Sequence, residues 1–129
     1  MVKEDKLLYD TIEKWLDDIL QQSIPDDVLA LNFNLYDDGD YSWSIELVGT
    51  DSFDIDDDDW RCDEVFDFGT RDNPLEWKEE NTWDYILDEM IDIINRYLEE
   101  GQFADVLKQY KAVGIGFVDG DANTLYVQD

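Results

Sequence analysis

A chain of 129 residues and 15.2 kDa with 35 acidic side chains against 9 basic ones carries a formal charge of -26. Such a field repels polyanions, so nucleic acid and anionic membrane are not expected partners. With 43% hydrophobic and 14% aromatic residues the chain is too apolar for a solvated acidic tail, and one domain over residues 1–129 with one core is expected.

Leu8, Ile12, Trp15, Leu16 and Ile19 recur at the spacing of one helix face, which predicts an amphipathic helix over residues 3–22. Pro25 should end it, because proline disfavours helical geometry at the residue before it, Ile24. Lys3, Lys6 and Lys14 lie in this helix, and no further cation appears before Arg61. The chain turns charged before a signal-peptide core could form, and no apolar run approaches the roughly 20 residues of a membrane helix. Together with a single cysteine, Cys62, this points to a reduced, cytoplasmic setting.

Residues 28–36 alternate, with Leu29, Leu31, Phe33 and Leu35 on one side, and residues 41–48 return with Tyr41, Trp43, Ile45 and Leu47 on one side. The intervening Asp37, Asp38, Gly39 and Asp40 carry an Asp-Gly turn signal, so the two runs read as an antiparallel hairpin with one wet face.

The stretch DSFDIDDDDWRCDEVFD over residues 51–67 follows, with nine carboxylates (Asp51, Asp54, Asp56, Asp57, Asp58, Asp59, Asp63, Glu64, Asp67) against Arg61. Phe53, Ile55, Trp60, Val65 and Phe66 are threaded through it, which a purely solvating segment would not need. At its end Trp60, Cys62, Glu64, Phe66 and Phe68 alternate weakly, predicting a third strand. Residues 69–74 read as a connection.

Trp83, Ile86, Leu87, Met90, Ile91, Ile94, Tyr97 and Leu98 mark the most regular helix, with Asn81 or Thr82 as its cap and Gly101 as its end. A short helix over 102–111 and a strand over 112–118 come next. Gly114 and Gly116 share one face of that strand, as happens where another segment packs closely. Asp119, Gly120 and Asp121 turn the chain into a last strand over 124–128. The order α-β-β-β-α-α-β-β predicts an α+β fold, an antiparallel sheet of about five strands with helices mainly on one face.

Catalytic chemistry finds little purchase. Histidine is absent, which removes the commonest general base and metal ligand, and one cysteine among acids cannot make a thiolate metal site. Asp54, Asp56 and Asp58 have the first spacings of a calcium loop, but Asp59 stands where that loop needs glycine and Val65 where it needs a bidentate glutamate. The chain is therefore read as no enzyme, with no cofactor and no metal. Of its tryptophans, Trp15 and Trp83 lie on helix stripes and Trp43 on a strand core face, and all three are expected in the core. Trp60 and Trp77 sit among acids, where each is either an interface anchor or a pin that holds a loop to the core.

An extreme negative field, aromatic anchors and no catalytic set fit a binder of a basic protein, since opposite charge speeds encounter. In size, charge, element order and the run DIDDDDW, the chain resembles the small acidic immunity proteins that bacteria make against their own polymorphic or contact-dependent toxins. The resemblance implies a cognate toxin, a nuclease above all, whose basic active-site surface the carboxylates would occupy. The partner-binding residues expected are Asp54, Asp56, Asp57, Asp58, Asp59, Trp60, Asp63, Glu64 and Trp77. Two alternatives stand beside it: a DNA mimic that inhibits a restriction enzyme or DNA-binding protein, and an acidic protein of a halophile with an unrelated function.

Overall fold

A computed structural model describes the backbone of residues 2–128 and the side chains from Leu8 to Gln128; the side chains of Lys3 and Lys6 lie outside the described part. The order is α1 (Val2–Ile19), β1 (Ala30–Gly39), β2 (Ser42–Thr50), a 3-10 helix (Asp58–Cys62), β3 (Glu64–Phe66), β4 (Leu75–Lys78), α2 (Trp83–Glu100), α3 (Ala104–Leu107), β5 (Ala112–Phe117) and β6 (Asn123–Val127). The fold is α+β, and the strands run β3-β2-β1-β5-β6 across the sheet with β4 sharing the β2 edge.

The alternation of β1, β2 and β5 sorts their side chains into two faces. Leu31, Phe33, Leu35, Trp43, Ile45, Leu47, Val113 and Ile115 join Ile12 and Leu16 of α1 and Ile86, Met90, Ile94 and Tyr97 of α2 in one core. The three α-helices cover this face, as the sequence pattern predicts. The Tyr97 hydroxyl, fully buried, donates to Asp17 Oδ1 at 2.8 Å and accepts from the Phe103 amide at 3.2 Å, and so ties α1, α2 and the approach to α3 together.

Several expectations are corrected. The sheet is mixed: β1 pairs antiparallel with β2 but parallel with β5, Leu31 opposite Val113 and Leu35 opposite Phe117. The reason is the connection, because α2 carries the chain from the end of β4 back along the sheet, and a helical crossover returns a strand in the same direction. The third strand is only Glu64–Phe66, with Trp60 in the 3-10 helix before it, and a strand the pattern missed, β4, pairs Trp77 with Trp43. Between β3 and β4 the ladder of β2 is bridged by a side chain: Thr70 Oγ1 accepts from the Leu47 amide at 2.9 Å and lies 3.0 Å from the Leu47 carbonyl.

Trp83 is a further correction. It continues the apolar stripe of α2, but Phe117 beneath it is the last residue of β5, so its ring overhangs the sheet at 60% exposure. Leu29 and Tyr41, expected on the core face of the hairpin, are likewise exposed, Leu29 before the first residue of β1 and Tyr41 in the turn with a φ of 58°.

Candidate functional site

The second face of the sheet, turned away from the helices, is where the acidic stretch lies. Ala30 and Ala112 leave a shallow bed there, and Trp60 sinks into it at 4% exposure with Phe53 packed edge-on against its ring at 5.1 Å. Gly114 makes the bed possible: a Cβ at that position would stand 3.1 Å from the Trp60 ring and 2.7 Å from Asn32 Oδ1. Gly116 gives the same clearance to Arg61, whose Nη2 donates to the Gly120 carbonyl at 2.6 Å. The expectation of close packing at the two glycines is met: the acidic loop packs over Gly114 through Trp60, and Arg61 of the loop and the Asp121 carbonyl of the following turn crowd Gly116.

Its carboxylates fall into two groups. Some build the loop: Asp54 accepts from the Asp56 amide at 2.9 Å, Asp57 caps the 3-10 helix by accepting from the Asp59 amide at 3.0 Å, and Asp58 accepts from the Ala122 amide at 2.9 Å. Asp63 accepts from Ser52 Oγ at 2.6 Å. Among the described residues, Asp56 and Asp59 make no such bond with their side chains. All six of these residues are exposed, and among the described residues none forms an ion pair. The one cation of the stretch, Arg61, is bound to a carbonyl and is in no ion pair with its acidic neighbours among the described residues.

Glu64 belongs to a different assembly. Arg71 bridges it to Glu46, which is 3% exposed in the middle of the same face. Glu46 Oε1 also accepts from the Tyr36 hydroxyl at 2.6 Å and from Asn34 Nδ2 at 2.9 Å, and Asn32 Nδ2 donates to Asn34 Oδ1 at 2.7 Å. A buried carboxylate needs this many donors and a counter-charge to offset its lost hydration. Burial first, and then the bond to Glu46, push the Tyr36 hydroxyl well above the usual tyrosine range.

Of the residues expected to bind a partner, Asp54, Asp56, Asp57, Asp58, Asp59 and Asp63 are thus gathered on one loop over the open face. Trp60 holds that loop down from beneath, and Glu64 is committed to Arg71. Trp77 is elsewhere. It is half-buried on the helix side of the sheet, opposite Trp43 at the hairpin end, with its Nε1 donating to Glu79 Oε1 at 3.2 Å. Trp83, which periodicity assigns to the core, lies exposed at that same end. Nothing in a helical repeat says where the sheet beneath a helix stops, so its exposure carried no signal in the sequence.

No group of Cys, Asp or Glu among the described residues is arranged to hold a metal ion, and no described helix is long and apolar enough to cross a membrane. No protein-family model, curated protein or solved structure matches the chain.

Proposed function

We propose that this chain is a non-catalytic acidic binding protein that neutralises a basic protein, an immunity protein acting on a cognate bacterial toxin by covering the cationic surface of its active site. The observation that carries the reading is the mount of the acidic loop. The carboxylates of Asp54 and Asp56 to Asp59 are exposed and in no ion pair among the described residues, while Trp60 fixes the loop to the sheet and Arg61 fixes it to the turn after β5. Carboxylates held apart on a fixed frame keep their mutual repulsion until a cation relieves it, and a partner's lysines or arginines do so without the cost of ordering a mobile loop. A nuclease supplies such cations, because its active site must attract phosphates.

The test is a titration with the basic product of the reading frame adjacent to the gene. Asparagine keeps one side-chain oxygen as acceptor for the amide bonds by which Asp54 and Asp57 (through Oδ1) and Asp58 (through Oδ2) build the loop, so Asn at 54 and 56–59 removes charge and leaves the turns. Affinity should fall by about a hundredfold or more, since loss of close charge pairs at such interfaces costs about 2–5 kcal/mol each. Unchanged affinity, or an adjacent frame whose product is acidic, would count against the reading.

A further inference from the structure

At the hairpin end of the sheet the aromatic residues outrun the strands that would cover them. The ring of Phe117, at the end of β5, is flanked edge-on by Trp43 at 6.0 Å and by Trp83 at 6.2 Å. Trp77 stands opposite Trp43 in the β2–β4 ladder. Tyr41 lies in the turn that precedes β2, its carbonyl accepting from the Glu79 amide at 2.9 Å, just after β4. Trp83 at 60% exposure and Tyr41 at 53% form the outer layer of this rim, and the buried Trp43 and Phe117 form its floor. Large rings left in water on a rigid floor are the usual anchors of protein interfaces.

The topology surrounds these rings with one sign of charge. The ends of β1, β4 and β5 and the start of α2 all meet here, which brings together the exposed Asp37, Asp38, Asp40, Glu80, Asp84 and Asp119. None of them is in an ion pair among the described residues, and the ladder adds a single cation at this end, Lys78 opposite Ser42. A second copy of a chain carrying -26 would be repelled from such a rim, whereas a basic surface would be drawn to it.

We infer that the Trp83–Tyr41 rim is a second docking surface, taking a segment of a basic protein in which apolar side chains are flanked by lysines or arginines. The inference rests on the reading of the chain as a binder of basic protein, and it places an aromatic anchor on the helix side of the sheet, away from the acidic loop. Among its carboxylates the loop exposes one aliphatic side chain, Ile55 at 60%, but no large ring, since Trp60 is spent on holding it. The rim offers charge and two large exposed rings, so it discriminates more strongly among cationic partners by what lies between their charges.

Two synthetic peptides of equal length and charge separate these contributions, an amphipathic Leu/Lys peptide and a Ser/Lys peptide. Each is titrated while the tryptophan indole N–H signals are followed by NMR. The Leu/Lys peptide should bind about tenfold more tightly than the Ser/Lys peptide, a difference of the size that hot-spot residues produce, and should move the Trp83 and Trp77 signals first. Trp83→Ala combined with Tyr41→Ala should bring its affinity down to that of the Ser/Lys peptide and leave the latter unchanged. Both positions are exposed, and circular dichroism reports whether the fold is kept; Asp38→Asn with Asp40→Asn, which removes no apolar surface, should weaken both peptides. Equal affinity of the two peptides, signals moving only for other tryptophans, or a double alanine variant that binds the Leu/Lys peptide as before would each discard the rim and leave the basic-partner reading standing. Failure of both peptides to bind at low salt would bring down that reading itself.

Discussion

Glu46 shows at the scale of one residue what a chain so acidic must do to place a carboxylate inside. Its burial is offset by Arg71, by Asn34 and by a hydroxyl, Tyr36, that in return cannot ionise without placing a second negative charge beside it. Tyr97 is in the same position, raised first by burial and then by its bond to Asp17. Both phenols hold their protons more tightly in the folded chain than in the unfolded one, so the stabilisation is complete below the ordinary tyrosine value of 10.0 and is lost as pH rises above it. Urea midpoints should therefore fall steeply above about pH 10, and the fall should be shallower for Tyr36→Phe combined with Tyr97→Phe. A double variant that lost stability with alkali as steeply as the parent would assign the effect to other groups.

The acidic loop and the strand under it behave as one element. Trp60, Gly114, Asn32, Ala30 and Ala112 come from three separate stretches of the chain, and the loop's position depends on the missing Cβ of Gly114. Gly114→Val should lift Trp60 from its bed and cost about 3 kcal/mol, the order of a large buried ring losing its packing. Amide exchange should then quicken across residues 51–63 while the amides of α1 and α2 remain protected. Equal loosening of both faces would show that the loop is no separate unit.

Much of this element was legible in advance. The alternation in β1 and β2 placed the hairpin, the paired glycines marked a close approach, and the rings of Phe53 and Trp60 on either side of the acids signalled a loop fixed to something. What the residues could not disclose was contact at long range. Nothing local says that Trp60 meets Gly114, that a helical return makes β5 parallel to β1, or that Trp77 lies in a four-residue strand too short to show a period. Trp83 was misplaced for a related reason: its stripe is intact, but the strand it should lie on ends two residues after Ile115, at Phe117, whose ring it meets edge-on.

For the molecule as a whole, the arrangement divides the labour of holding so much charge. The helix side buries the core and carries the ion pair of Arg96 with Glu100, the open face pairs Arg71 with Glu46 and Glu64, and the acidic loop and the hairpin end collect carboxylates that are in no ion pair among the described residues. Charge left unpaired on a rigid frame favours encounter with a basic molecule over a long range, and salt removes that advantage because the screening length falls from about 30 Å at 0.01 M to about 3 Å at 1 M. The most direct measurement is the rate of association with the basic product of the adjacent reading frame, followed by stopped flow as salt is raised. A binder that works by its field should associate faster than about 10⁷ per molar per second at low salt and slow by about tenfold or more in high salt, with the Asn variant at 54 and 56–59 already slow at low salt. A rate indifferent to salt, and the same for parent and variant, would contradict the proposal that the anionic surface exists to capture a cationic protein.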